Sequence, residues 1–435
     1  MAVRRAKGIP DRSVKGDPAD LPVGVPLTVV EQLHEAKRAG THTDFRMGTP
    51  SIGMFSWAVP KGLPKEPGEK RLAVTQPVHS YSYNDFEGVI GKGYGAGRVT
   101  LKDKGELVLL SKSPGHIKFT RSDRRNAPVY NMVRTPNNNW LIFIQKEDLP
   151  DTILHYDKER FRSVSPAAVK AIMGEGAIAT PKLDGAAALA YLGRKGIDVY
   201  GVRRDKDGNL IRYTDHIGGL RGHQVPEELV GKVLRGEVIA ERQGRVLPPQ
   251  EVSGYLNSSL GRALDRRRQG TRLRLAALGM IENGAEDYDP GKVADVVRRL
   301  GSPEITLPPV YDTPDKAVKA LSLMKAGKHP LTSEGLVVHP KGGRPLKAKI
   351  TEDADVVIRD ILPGKAKGRA GGFSYSLDEK GPEVGRVGSG MDFSTLRDML
   401  ENPDAYKGRI ARIRSLGQFP GGAHRSPSFI ALHEG

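Results

Sequence analysis

The sequence predicts a multidomain α+β protein, and three observations carry that reading. Residues 55–146 consist of short alternating runs broken by glycines, as in a β-rich domain. Residues 165–350 mix strand-like runs with amphipathic helical stretches, as in an α+β domain. From Asp355 onward a smaller β-rich unit follows, and its short strands with one helix suit an OB-fold barrel. At 435 residues the chain is long enough for more than one hydrophobic core.

Residues 1–25 are rich in Pro, Gly and charge and are expected to form a disordered arm. A short helix is expected over Thr28–Arg38, with Gly40 as its stop. Ser56-Trp57-Ala58-Val59 and Arg98-Val99-Thr100-Leu101 read as strands, and Trp140-Leu141-Ile142-Phe143-Ile144 as a buried closing strand. The first domain therefore spans 26–148. A linker follows over 149–164, and a short helix is expected at Ala167–Met173.

In the central domain, 165–350, strands are expected at Ile197–Val202, Val233–Ala240 and Leu336–His339. Helices are expected at Val293–Leu300 and Pro314–Lys325, the second with Ala317, Leu321 and Met324 on one face and Gly327 as a stop. Asp205-Lys206-Asp207-Gly208 reads as a hairpin turn, because the other ligands of a calcium loop are missing. The third domain, 351–435, opens with a strand near Asp355–Leu362. It continues through a Gly/Lys-rich turn from Pro363 and a helix near Phe393–Glu401 that Pro403 stops.

Charge points to the partner. Lys and Arg number 68 against 51 Asp and Glu, a formal net charge of +17. Such an excess favours a polyanion, nucleic acid first, through counterion release. The chain has no cysteine, which excludes disulfides, thiolate metal sites and cysteine nucleophiles. No run approaches the roughly 18 apolar residues of a membrane span. Met1-Ala2-Val3-Arg4-Arg5 lacks the apolar core of a signal peptide, so a cytoplasmic location without a membrane is expected.

The chemistry-bearing residues lie in one ordered series. Thr180-Pro181-Lys182-Leu183-Asp184-Gly185 is followed by Arg235-Gly236-Glu237-Val238, then Glu334-Gly335-Leu336-Val337-Val338, then Leu346-Lys347-Ala348-Lys349. The Lys-x-Asp-Gly tetrapeptide alone is weak, since average residue usage produces it in roughly one such chain in ten. The full series supplies a lysine nucleophile, two carboxylates that can hold a metal or a sugar, and late lysines to neutralise phosphate. Those are the parts needed for a covalent lysine–nucleotide bond.

With these motifs in this order, residues 165–435 resemble an ATP-dependent DNA ligase, a nucleotidyltransferase (adenylation) domain followed by an OB domain. The same superfamily holds RNA ligases and mRNA capping enzymes. The resemblance implies that Lys182 attacks the α-phosphate of ATP and carries AMP, with Lys347 and Lys349 stabilising phosphate charge. It places Glu237 and Glu334 on the ribose or on Mg²⁺, and Asp184 in later steps. Arg203-Arg204 occupy the place of a ribose-contacting arginine, and Arg204 aligns slightly better. AMP would then pass to a DNA 5′-phosphate before a 3′-hydroxyl seals the nick. Two departures stand out. Leu273–Met280 offers no aromatic ring to stack on adenine, and the C-terminal segment has His433 where a basic cluster is usual.

Residues 28–148 carry a second resemblance, through His42-Thr43-Asp44-Phe45-Arg46, Ser56–Gly62, Asp85-Phe86-Glu87-Gly88, Tyr94-Gly95-Ala96-Gly97 and Trp140–Ile144. These resemble the 3′-phosphoesterase domain of bacterial end-joining ligases, which implies a β-barrel-like phosphoesterase fold. Carried over, His34, His42 and Asp44 would hold Mn²⁺, Arg46 would clamp a phosphate, and His79 and Tyr83 would bind phosphate or donate a proton. The His34–His42 spacing is longer than the family pattern. His116 and the basic run Lys118–Arg125 read as a DNA-facing surface.

The reading these features favour is an ATP-dependent DNA ligase with an N-terminal 3′-end-healing activity, acting as a monomer on nicked or broken duplex. An RNA ligase or capping-type nucleotidyltransferase is one alternative. A non-catalytic DNA-end-binding scaffold is the other.

Overall fold

The computed structural model describes residues 18–433, apart from 94, 147–148, 157–160, 207, 283, 333, 365–366 and 420. Its contacts form two compact units, Met1–Lys158 with Gly185–Leu307, and Glu159–Asp184 with Pro308–Gly435.

The first unit opens with nine strands: β1 (Pro26–Ala36), β2 (Gly40–Thr49), β3 (Gly53–Val59), β4 (Lys70–His79), β5 (Gly88–Ile90), β6 (Gly97–Ser113), β7 (His116–Arg121), β8 (Val129–Arg134) and β9 (Trp140–Ile144). They pair antiparallel in the order β1-β2-β3-β4-β9-β8-β7-β6, and β6 returns to β1, closing an eight-stranded barrel with β5 beside the start of β6. Alternation along each strand sends Leu27, Phe45, Trp57, Phe119, Trp140 and Ile142 into one core. Trp57 meets Trp140 edge to face at 6.4 Å between centroids.

Two expectations change here. The segment expected to be a helix over Thr28–Arg38 is strand β1. The spacing of Val29, Val30 and Leu33 fits a helix period, but Thr28-Val29-Val30 is β-branched, and β1 finds a partner on both edges. Gly40, at φ +72°, makes the tight turn into β2 and is no helix stop. Of the arm expected over residues 1–25, residues 1–17 lie outside the described residues. Residues 18–25 are folded onto the barrel, where Leu21 is fully buried in the core and Val23 bridges to Leu109.

The rest of the first unit is built on a mainly antiparallel sheet, which Ile305–Thr306 joins in parallel beside Thr271–Glu282. Its strands run in the order Leu210–Arg212, Gly196–Arg204, Ala186–Gly193, Val233–Arg242, Thr271–Glu282 and Ala285–Asp287. Helices Pro249–Leu256, Leu260–Arg268 and Pro290–Leu300 share a core with it. Asp289 caps the third helix, accepting from the Gly291 amide at 2.8 Å, and Gly301 ends it at φ +63°. The turn expected at Asp205–Gly208 joins two of these strands, with Asp205 Oδ1 accepting from the Asn209 amide at 2.8 Å; Asp207 lies outside the described residues.

The second unit holds two sheets. The first runs Arg162–Val164, Leu346–Lys349, Gly335–His339, Ile178–Pro181, with helices Val169–Gly174 and Pro314–Lys325 on its core. Ala317, Leu321 and Met324 are buried there, the face read from the sequence. The second sheet is antiparallel, in the order Gly385–Val387, Ala370–Ser376, Glu352–Pro363, Ile410–Ser415, Ser428–Leu432, and helix Phe393–Glu401 packs on it. Among the described residues no helix is long and apolar enough to cross a membrane.

Two measurements test this packing. Leu21→Ala is expected to cost about 2–5 kcal/mol in a urea titration, as for a fully buried leucine. Glu286 is the second probe. Burial pushes its carboxyl up to about 7, while the Tyr156 hydroxyl donates to it. Ionisation is thus harder in the folded unit than in the unfolded chain. The residue removes stability as pH rises from the ordinary carboxylate range through about 7. Glu286→Gln removes this pH dependence but leaves the buried Arg235, 3.9 Å away, without its carboxylate. The variant's stability relative to the unsubstituted chain should therefore rise between about pH 5 and about pH 8 in the same titration.

Candidate functional site

In the barrel, the antiparallel register sets His34 opposite His42, Gln32 opposite Asp44 and Val30 opposite Arg46. Strand alternation then puts His42, Asp44 and Arg46 on one face of β2. His34 Nδ1 lies 3.4 Å from Asp44 Oδ2, and His42 Nε2 lies 3.4 Å from Asp44 Oδ1. One donor atom from each residue falls within 4.8 Å of the others.

The backbone selects the tautomers. His34 Nε2 donates to the Gly95 carbonyl at 3.0 Å, and His42 Nδ1 donates to the Gly40 carbonyl at 2.9 Å, since a carbonyl can only accept. In the neutral rings the lone pairs left over are His34 Nδ1 and His42 Nε2, the two atoms turned toward Asp44. Three lone-pair donors converging on one point repel each other unless a cation or shared proton sits between them. The set therefore fits a divalent ion of borderline softness.

Arg46 forms the floor. It is 1% exposed, donates to Asp44 Oδ2 at 3.0 Å and to Gln32 Oε1, and lies 4.8 Å from the centroid of the Tyr83 ring. Gln32 is held in turn by the Phe86 carbonyl at 2.8 Å. Burial alone would raise the Asp44 carboxyl, but the charge of Arg46 and the His34 and His42 rings, which donate to it only once protonated at their second nitrogens, hold it well below the usual carboxylate range. Burial also keeps the Tyr83 phenol above its ordinary value, so it stays protonated at neutral pH. His79 lies beside Tyr83, 5.3 Å between ring centroids. His34, His42, Asp44, Arg46, His79 and Tyr83 line one cavity of about 490 Å³. Tyr94, part of the expected Gly-rich loop, lies outside the described residues, while Gly95 reaches His34 as above.

The second unit gathers another set. Lys182 Nζ lies 2.7 Å from Glu334 Oε1, and Lys349 Nζ lies 3.4 Å from the same oxygen. Glu334 is 6% exposed. The Lys182 amide donates to the Gly335 carbonyl at 2.8 Å, its carbonyl accepts from Thr332 Oγ1 at 2.9 Å, and the same hydroxyl accepts from the Glu334 amide at 3.0 Å. Gly335, at φ +132°, is required there, because a Cβ would sit 2.0 Å from the Ala348 carbonyl oxygen. Lys347 sits two residues before Lys349 on the same strand face. Asp184 accepts from Arg425. Burial, then the charge of Glu334, raises its carboxyl, and Arg425 and Lys182 oppose the rise.

Glu237 and Arg204 belong to the first unit. Glu237 is half-buried on Val233–Arg242, opposite Ala187 and Ala276. Arg204 ends Gly196–Arg204, exposed, and donates to the carbonyls of Leu154 and, at 3.2 Å, Gly208. Part of the basic run Lys118–Arg125 departs from the expected DNA-facing surface. Arg121 is buried, forking Asp123 at 2.9 and 2.7 Å and pairing with Asp103, because alternation on β7 turns it away from solvent.

Sequence reasoning missed Gln32, Thr332 and Arg425, each of which holds a site residue in place. Gln32 was legible as the residue two before His34 on a strand, and the helix expected there concealed it.

A closed β-barrel that gathers two imidazoles, a carboxylate and a buried arginine in one cavity is of the type that can hold a divalent cation beside an anion. Comparison with known proteins is specific for this region: residues 32–134 match the family model of the DNA Ligase D 3′-phosphoesterase domain. The multifunctional non-homologous end joining protein LigD of Pseudomonas aeruginosa is 34% identical over 145 residues, covering 31% of this chain and 17% of that protein. The LigD of Mycolicibacterium smegmatis is 26% identical over 428 residues, covering 90% of this chain and 52% of that protein. A solved Lig E DNA ligase is similar at 16% identity and a TM-score of 0.46, over 64% of this chain and 100% of that one. The chain thus spans between 17% and 52% of the length of these two LigD relatives. The resemblance to bacterial end-joining ligases read from the sequence is the one the family model and the LigD relatives return.

The buried pair gives a direct test. Asp44→Ala leaves the Arg46 charge without its carboxylate and should destabilise the unit by about 3–5 kcal/mol in denaturant titrations.

Proposed function

We propose that this chain is an ATP-dependent DNA ligase that seals nicks or breaks through a lysine–AMP intermediate, with a barrel domain that heals 3′ ends. The observation that carries the reading is Lys182 paired to a buried Glu334 that Lys349 shares. In this reading residues 26–148 are the 3′-phosphoesterase domain, 149–164 a linker, 165–350 the adenylation domain and 351–435 an OB-fold domain.

The chemistry follows from the residues. Glu334 orients the Lys182 amine and lies within reach of its proton. Lys182 Nζ forms a bond to the α-phosphorus of ATP, the bond from that phosphorus to the bridging oxygen breaks, and pyrophosphate leaves. Lys347 and Lys349 line one strand face and neutralise charge on the phosphates as this happens. A DNA 5′-phosphate oxygen then takes the AMP from Lys182, breaking the P–N bond. A 3′-hydroxyl next attacks that 5′-phosphorus and expels AMP. Glu237, Glu334 and Arg204 are the proposed contacts to ribose or Mg²⁺, with Asp184 supporting the later steps. Mg²⁺ would supply charge neutralisation on the phosphates.

In the barrel, His34, His42 and Asp44 would hold Mn²⁺, which would polarise a phosphate oxygen. Arg46 would clamp that phosphate from below, Tyr83 can donate a proton, and His79 stands beside it. Healing 3′ ends and then sealing them fits the end joining named for the LigD relatives.

The test is incubation with α-labelled ATP and Mg²⁺, then a denaturing gel, then addition of nicked DNA. A labelled band should form, be lost as a sealed strand appears, and be absent in Lys182→Ala; label persisting in Lys182→Ala would overturn the assignment. Removal of a DNA 3′-phosphate should require Mn²⁺ and fall at least 100-fold in His42→Ala, while AMP labelling is unchanged. Sealing of RNA but not DNA nicks would favour the RNA ligase alternative. Tight DNA binding without label would favour the scaffold.

A further inference from the structure

Within the first unit, a cavity of about 760 Å³ shares no lining residue with the sites described above. One wall is the outer face of the barrel. Alternation on β7 sends Ile117 and Phe119 into the core and leaves His116 and Lys118 outside. The register then lines up Ser111, Lys118, Asn131 and Phe143 as one row across β6, β7, β8 and β9. The other wall is the hairpin of Ala186–Gly193 and Gly196–Arg204, which contributes Tyr191 and the turn residue Lys195, with Arg221 beside them.

The lining is strongly cationic. Lys118, Lys146, Arg194, Lys195 and Arg221 line it with one carboxylate, Asp198, although the Arg194 guanidinium is forked onto Glu227 outside the lining. Arg221 is forked onto Asp215 behind the wall, at 2.5 and 3.0 Å. Lys118 is half-buried, and burial first, then the charges of Arg221 and Lys195, push its ammonium below the usual value. Folding has gathered like charges at a cost that a bound anion would relieve. Two further features narrow the anion. Tyr191 and Phe143 offer aromatic rings, and the side-chain oxygen of Gln145 is buried without a hydrogen-bond partner. Such an acceptor suits the N–H edge of a base, the rings suit its face, and the lysines suit its phosphate. The volume lies within the range of nucleotide-sized ligand sites.

We propose that this cavity is a binding subsite for a single-stranded DNA segment, with Lys118 and Lys195 on its phosphates and Tyr191, Phe143 and Gln145 on its bases. The subsite does not depend on the chemistry at Lys182.

The experiment uses the full chain and a fluorescein-labelled oligothymidylate, with anisotropy followed between about 50 and 200 mM salt. Lys118→Gln with Lys195→Gln is expected to weaken binding about 10-fold and to lower the salt slope by about 1.4, two single-strand phosphate contacts' worth. Lys195→Gln alone, at an exposed turn, should lower the slope by about half as much and keeps the test open if the double variant folds poorly. AMP labelling of Lys182 should be unchanged in both, so failure here and failure at Lys182 are separately visible. Ultraviolet crosslinking of a 4-thiothymidine oligonucleotide to the unsubstituted chain should mark peptides holding Tyr191 or Phe143. Unchanged affinity and slope, or crosslinks confined to other peptides, would overturn the proposal. So would displacement of the oligonucleotide by AMP at equal phosphate concentration, which would assign the cavity to a free nucleotide.

Discussion

Strand β1 pairs along both edges, with β2 and with β6, and that double pairing closes the barrel and fixes the register of the candidate metal site together. A one-residue slip would turn every side chain to the opposite face. His34 and Gln32 would then point into the core, and Leu33 would take their place. Closure opposes the slip, because β6 would have to move as well. The placement of the three residues is therefore a property of the whole barrel, and the Gly95 carbonyl of the neighbouring loop sets which His34 nitrogen faces Asp44.

The second unit secures its site differently. There the nucleophile candidate and its carboxylate come from segments about 150 residues apart, held by backbone contacts. Thr332 accepts from the Glu334 amide and donates to the Lys182 carbonyl, so one hydroxyl ties both residues. Gly335 permits a close approach that any Cβ would block. Charge does the rest, with two lysines sharing one buried acid.

Much of this was legible in the sequence. The helix Pro314–Lys325 was given by its period and Gly327, and the helix at Phe393–Glu401 by Pro403 behind it; the caps Thr313 and Asp392 came only with the structure. The grouping of Lys182 with Glu334 and Lys349 was expected from motif order. The order could not show the supporting contacts, since Thr332 and Arg425 act through pairings far apart in the chain. The error at β1 has a physical cause. Val29, Val30 and Leu33 satisfy both periods locally, and the choice is made by strand partners absent from the local text. Leu21 was missed because one leucine in a polar, Pro-rich stretch gives no periodic signal, although it fills the barrel core.

The hold on Lys182 also has a kinetic side. Its amide and carbonyl are both engaged by the 332–335 segment, and its ammonium already lies against Glu334. The freedom that an exposed lysine would lose on meeting a substrate has been surrendered when the unit folds. Binding of a nucleotide there would need little further ordering of the attacking arm, so the barrier to the first bond would be set by proton removal and phosphate charge, with little contribution from a conformational search.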